Sequence, residues 1–214
     1  MRLVCLGDSI CAGYGLAPGA GWVALLAGRL AVDFPDLAVA NAGVSGEIAQ
    51  EGLARLSRAL GSGAPDLLYV QFGLNDAAMG IAVPDYLRVM REITRRSLQS
   101  GARAVLVGNN HPVCVHEGWD LPGVDLYRRN VRALNEGLRQ EFSPLPAPVF
   151  FADVERLCES LGEGRELAAI LQYDGVHLSE EGNRAYARLL YPLFLERLRA
   201  LRQAAPEGGD RAVL

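Results

Sequence analysis

The sequence predicts an α/β protein: one five-stranded parallel β-sheet with helices on both faces, arranged in three layers. Two patterns carry that expectation. Five short apolar runs are continuous rather than alternating, as in strands covered on both sides. Between them lie longer stretches whose apolar residues recur at helical spacing. A chain of 214 residues, half of them hydrophobic, also suits one domain with a sizeable core.

Taken in order, Leu3-Val4-Cys5-Leu6 is the first strand, and Trp22 to Phe34 the helix after it. Leu37 to Asn41 is the second strand, and Ile48, Leu53, Leu56 and Leu60 mark a second helix. Leu67 to Phe72 is the third strand. Tyr86, Met90, Ile93 and Ser97 share one face of the next helix, started by Val83-Pro84-Asp85 because proline suits a first turn. Ala104 to Gly108 is the fourth strand. A loop over 109–123, with histidine, proline and glycine, comes after it and is of the kind that shapes a pocket. Tyr127, Val131, Leu134, Leu138 and Phe142 then form an amphipathic stripe. Val149 to Asp153 is the fifth strand. The last helix carries Leu189, Leu190, Leu193, Phe194, Leu198 and Leu201, with Ser179 as its N-cap. Right-handed crossovers between successive strands favour the order 2-1-3-4-5, a flavodoxin-like sandwich. Residues 1–202 are expected to form a single domain and 203–214 a flexible tail.

The net charge of −4 offers no basic excess to displace counterions, so no nucleic-acid partner is expected. No run approaches the length of a membrane span, so no stable membrane insertion is expected. The first strand starts at residue 3, without room for a secretory leader before it. A cytoplasmic protein is therefore expected, with an exported form whose leader was removed left open. The four cysteines form no C-x-x-C pair and no zinc-ligand spacing, and no metal is expected. Cys5 reads as a small core residue and Cys11 as one that could line a pocket. No P-loop and no G-x-G-x-x-G is present, and no cofactor is expected. The oligomeric state is not legible.

In an open parallel sheet, sites form at the carboxyl ends of the strands, and the polar residues fall there. Strand one ends in Gly7-Asp8-Ser9, strand two in Asn41-Ala42-Gly43-Val44-Ser45-Gly46, and strand three in Gly73-Leu74-Asn75-Asp76. Asp174-Gly175-Val176-His177 precedes the last helix and could reach the same rim. A serine, a carboxylate and an imidazole are the parts of a hydrolytic nucleophile system. Serine needs an adjacent base, and histidine can accept and return a proton near neutrality. Taken singly, each motif has a plain alternative: Gly-Asp-Ser as a turn with an N-cap, Asn75-Asp76 as a helix start, His177 as a structural histidine. Asp8 is expected to hold its loop by hydrogen bonding. His111 and His116 read as loop or pocket-wall residues.

The four blocks, in this order, resemble those of the SGNH hydrolases, the GDSL esterase/lipase family, with Ile10 where leucine is usual. The resemblance spans residues 3 to about 195. It implies Ser9 as nucleophile, His177 as general base and acid, and Asp174 as the carboxylate that orients the imidazole. It further implies an oxyanion hole from the backbone N–H of Ser9, the backbone N–H of Gly46 (rather than Gly43) and the side-chain amide of Asn75. The implied activity is hydrolysis of a small-molecule carboxylic ester through an acyl-enzyme, of the esterase, lysophospholipase or thioesterase type. The second block, with the stretch Gln50 to Leu56 beyond it, resembles the bacterial lysophospholipase/thioesterase branch. Two alternatives stay open: a carbohydrate O-acetyl esterase of the same fold, and a catalytically silent flavodoxin-like binding module. Pro18, Trp22 and the 77–83 and 109–123 loops are candidate pocket walls. No G-x-S-x-G elbow is present, which excludes the broader α/β-hydrolase nucleophile.

Overall fold

Strand β1 (Arg2–Gly7) lies inside a five-stranded sheet of order β2-β1-β3-β4-β5, all pairs parallel. The other strands are β2 (Ala38–Gly43), β3 (Leu67–Gln71), β4 (Ala104–Gly108) and β5 (Val149–Ala152). The structure is a computed structural model that describes residues 1–114, 124–161 and 165–204. Cys5 pairs in register with Asn41 on one side and Tyr69 on the other, which brings the carboxyl ends of β2, β1 and β3 to one level.

The expected order and all five strands are present. β3 and β4 are buried at every residue, and β1 at all but its first. β2 is not: it is an edge strand of small residues whose side chains are all at least partly accessible. It also runs two residues beyond the expected end, so Ala42 and Gly43 belong to the strand. Asp153 leaves β5 and caps the next helix by accepting from the Arg156 N–H.

The helices, in chain order, are α1 (Ser9–Ala12), α2 (Trp22–Asp33), α3 (Ala49–Ala54), α4 (Leu56–Leu60) and α5 (Leu74–Ala78). They continue with α6 (Val83–Gln99), α7 (Val124–Phe142), α8 (Val154–Glu159), α9 (Arg165–Ala169) and α10 (Glu180–Gln203). α2 packs on α10 and α10 on α8, while α6 packs on α3, α4 and α7. These two groups are the outer layers of the sandwich. The stripe Val131, Leu134, Leu138 and Phe142 is buried, as are Leu190, Phe194 and Leu198. Ser179 caps α10 through its hydroxyl, which accepts from the Gly182 N–H at 3.0 Å.

The helix expected across Ile48–Leu60 is two helices, broken at Arg55. There the backbone leaves helical geometry and the side chain turns inward to Glu47 and the Gly7 carbonyl. Gln203 belongs to α10 rather than to a tail, and residues 205–214 lie outside the described residues. So does 115–123, which holds His116 and most of the loop expected to shape a pocket.

Candidate active site

Gly7 ends β1 and Asp8 caps α1, its Oδ1 accepting from the Ile10 N–H at 2.9 Å. This makes Ser9 the first residue of α1, with only 6% of its surface exposed. α1 is four residues long, too short to stand on helix propensity alone. Tertiary bonds hold it instead. Trp22 Nε1–H donates to Ile10 O at 2.9 Å and Asn41 Nδ2–H donates to Cys11 O at 2.7 Å. Gly43 must be glycine here, because a Cβ at that position would lie 2.3 Å from Ala12 N.

The Asp174–His177 loop is closed from both sides. Leu171 and Leu178 bridge antiparallel, and Gln172 N–H donates to His177 O at 2.6 Å. Within the loop, Asp174 Oδ1 accepts from the backbone N–H of Val176 and of His177, each at 2.9 Å. Its Oδ2 lies 2.7 Å from His177 Nδ1. A carboxylate only accepts, so Nδ1 carries the hydrogen and Nε2 of the neutral ring is left to accept. That Nε2 is 3.0 Å from Ser9 Oγ. Three residues separated by up to 168 positions therefore form one continuous chain of hydrogen bonds. Burial opposes ionisation of Asp174. The bonds from the His177 ring and the two amides outweigh it and hold the carboxyl below the ordinary carboxylate range.

Gly46 lies in a turn between β2 and α3 with φ +85°, a conformation glycine adopts without a Cβ penalty. Its N–H donates to nothing among the described residues, whereas the Gly43 N–H is taken by Asn41 Oδ1 at 2.9 Å. Asn75 sits in the first turn of α5, so it is both a helix start and a rim residue. Its Nδ2–H donates to Glu47 O at 2.9 Å, which orients the amide and leaves its second hydrogen available. The neighbouring Asp76 accepts from the Ala49 N–H with both oxygens at 3.2 Å, and burial pushes its carboxyl up to about 6.

Several structural roles were not evident from the sequence. Tyr14 stands beside the His177 ring, centroids 4.3 Å apart. Its carbonyl accepts from Gln172 Nε2, which also donates to Leu178 O. His111 is fully buried, and its Nε2–H donates to Val176 O at 2.7 Å. It is a loop residue, but its buried ring braces the Asp174–His177 loop through Val176 rather than forming a pocket wall. Burial pulls its pKa down to about 4. Asp8 takes the expected loop-holding role. Burial pushes its carboxyl up to about 7, against the pull of the Ile10 amide, and its Oδ2 has no partner among the described residues. No periodicity or motif signals the placements of Tyr14, Gln172 and His111.

Two candidate pocket walls are corrected. Trp22 is fully buried in the core, packed against Tyr69, Tyr186 and Phe194. Cys11 is fully buried under Gly7 and lines no rim. Gly80, Ile81 and Ala82 of the 77–83 loop line a cavity of about 380 Å³ together with Ile48, Tyr86 and Val89, and neither Ser9 nor His177 is among its lining residues. Among the described residues no trio of His, Cys, Asp or Glu is arranged to hold a metal ion, and no helix is long and apolar enough to cross a membrane.

A family model described as GDSL-like lipase/acylhydrolase matches residues 5–185. Over 110 residues the chain is 37% identical to the esterase TesA of Pseudomonas aeruginosa, a match covering 51% of this chain and 55% of that protein. Over 105 residues it is 33% identical to thioesterase 1/protease 1/lysophospholipase L1 of Escherichia coli, covering 49% of each. The chain thus spans about half the length of the curated relatives it matches. A crystal structure of TesA superposes with a TM-score of 0.69 at 28% identity, over 94% of this chain and 99% of that one. A catalytic mutant of Axe2, an acetylxylan esterase from Geobacillus stearothermophilus, superposes with a TM-score of 0.70 at 20% identity, over 92% and 93%. At that identity the likeness is one of fold.

Proposed function

We propose that this chain, which belongs to the GDSL-like lipase/acylhydrolase family, hydrolyses small-molecule carboxylic esters through an acyl-enzyme on Ser9, as a single domain over residues 1–202. The observation that carries the reading is the chain of hydrogen bonds from Ser9 Oγ through both nitrogens of His177 to Asp174, at 3.0 and 2.7 Å. A binding module has no use for a base aimed at a serine.

In this reading Ser9 Oγ attacks the ester carbonyl as His177 Nε2 takes its proton. Asp174 keeps the ring oriented and stabilises the imidazolium. The backbone N–H groups of Ser9 and Gly46 and the free hydrogen of Asn75 Nδ2 receive the developing oxyanion. Among the described residues the Gly46 N–H is unengaged while the Gly43 N–H is engaged by Asn41, which supports Gly46 for that role. His177 returns the proton to the leaving alcohol or thiol. Water then attacks the acyl carbonyl by the same route and frees Ser9.

Hydrolysis of p-nitrophenyl esters of increasing acyl length tests this. The wild type should turn over, and Ser9→Ala should lose at least about 10³-fold in kcat, the scale on which a lost triad member is felt. Asn75→Ala should lose roughly 10²–10³-fold with the fold intact. A Ser9→Ala variant as active as the wild type would end the nucleophile assignment. A sharp preference for acetate would move the substrate to acetylated carbohydrate with the chemistry unchanged.

A further inference from the structure

The proposed chemistry leaves unused a half-buried ion pair that lies beside the site. Arg55 Nε–H donates to Glu47 Oε1 and Oε2 at 2.8 and 2.6 Å, and Arg55 Nη2 lies 2.6 Å from Oε2. The two side chains are only 10% and 15% exposed. The same guanidinium reaches further, with Nη2–H donating to the Gly7 carbonyl at 3.2 Å. Gly7 O also accepts from the Val44 N–H at 3.0 Å, where the chain leaves β2. Glu47 in turn holds Asn75, whose Nδ2–H donates to Glu47 O at 2.9 Å. The next residue, Ile48, donates its N–H to Glu51 Oε2 at 3.0 Å and so fixes the far end of the turn.

One side chain therefore bonds to the main chain two residues before Ser9 and to the residue directly after Gly46. Through that residue it reaches Asn75. Each of the three oxyanion donors of the proposed function is thus tied to Arg55 only indirectly, through Gly7 or through Glu47. The energetics point the same way. Withdrawing two charges from water costs about what their attraction returns, so a pair of this kind adds little net stability. Gly46 is exposed and carries no side chain to anchor its turn. Donors that must meet a developing charge have to be held to within about half an ångström by groups behind them. Arginine suits such a post because its planar fork engages two acceptors at once, which a lysine ammonium on a flexible stem does not.

We propose that Arg55 is a positioning residue for the oxyanion hole: by bonding Glu47 and the Gly7 carbonyl together, it sets the Gly46 amide and the Asn75 side chain at a fixed distance from Ser9. This rests on the ester-hydrolase reading above, and the test separates the two.

The test measures kcat and KM on p-nitrophenyl esters, with melting temperatures, for the wild type, Ser9→Ala, Asn75→Ala, Arg55→Met, Arg55→Lys, Glu47→Gln and the double variant Arg55→Met/Asn75→Ala. Arg91→Met, which breaks an exposed pair with Glu141 elsewhere, serves as a control. Arg55→Met is expected to lower kcat by roughly 10- to 100-fold with KM within about threefold, because the donors act on the transition state rather than on bound substrate. Arg55→Lys should recover part of that loss. On the Asn75→Ala background, Arg55→Met should cost clearly less than it does in the wild type, since the part of its effect that runs through Asn75 is already lost. Arg91→Met should match the wild type.

A folded Arg55→Met enzyme with wild-type kcat overturns the proposal, and so does a full repeat of its loss on the Asn75→Ala background. If Arg55→Met does not fold, Glu47→Gln carries the same expectations and the same cycle. If neither folds, the pair is a folding element and the positional role is wrong. Full turnover in Ser9→Ala would sink the ester-hydrolase reading by itself, whatever Arg55 does.

Discussion

Asp174 serves three donors with two oxygens. Oδ1 holds the loop through the Val176 and His177 amides, and Oδ2 faces the His177 ring. Asp174→Asn can keep the first task, since an amide oxygen still accepts. It reverses the second, because an NH₂ group facing Nδ1 favours the tautomer whose hydrogen sits on Nε2, and that nitrogen can no longer take a proton from Ser9. The expected result is a kcat lower by up to about 10⁴-fold, the scale of such a change in a serine triad, with a circular-dichroism spectrum like the wild type's. A loss below about tenfold would show that the carboxylate does not orient the ring. At this scale the candidate catalytic residues were legible because each is polar at the end of an apolar run, in the order a known family uses. Tyr14, Gln172, His111 and the Glu47–Arg55 pair were not, because their roles exist only once distant segments meet, and nothing in local spacing marks them.

The strands and long helices were legible because their signals repeat. Five or six apolar residues in a row, or a stripe over four turns, outweigh any single substitution. α1, α5, α8 and α9 are four to six residues long and offer no window for a period. They form because caps and tertiary bonds hold them, as Trp22 and Asn41 hold α1. The break between α3 and α4 was hidden for the same kind of reason: Leu53, Leu56 and Leu60 keep helical spacing across it, and only the inward turn of Arg55 reveals it. The contact of α1 with β2 yields a prediction. Gly43→Ala would place a methyl group 2.3 Å from Ala12 N and 2.8 Å from Cys11 Cβ. Overpacking of this kind costs about 1–3 kcal/mol, and it would push the serine-bearing helix off the sheet. The expected outcome is a lower melting temperature together with a lower kcat. An unchanged value of both would show that α1 is not seated on Gly43.

Over the whole molecule, two buried groups set opposing trends of stability with pH. His111 has a folded pKa lowered to about 4 by burial, from an ordinary 6.5. As pH falls through 6.5 the unfolded chain takes a proton that the folded protein refuses, so this group withdraws stability down to about pH 4. Asp8 has a folded pKa raised by burial from 3.8 to about 7. Between those values the unfolded chain ionises and the folded protein does not, so this group withdraws stability as pH rises. The effects are on the order of 3 kcal/mol for His111 and about 4 kcal/mol for Asp8 across their windows, because a tenfold change in proton affinity corresponds to about 1.4 kcal/mol. Denaturant unfolding from pH 4 to 8 should therefore show His111→Gln gaining on the wild type toward the acid end. Asp8→Asn should gain toward the alkaline end. Parallel curves for all three proteins would mean that neither group is buried as described.

In the proposed reaction the hydroxyl of Ser9 carries the acyl group between the two halves. Mixing the protein with a p-nitrophenyl ester, quenching in acid within the first turnovers and measuring intact and peptide masses reads that directly. One added acyl group is expected, mapped to Ser9 within the Gly7-Asp8-Ser9 peptide, and none on Ser9→Ala. Turnover with no adduct at early times, or with the adduct on any other residue, would contradict it.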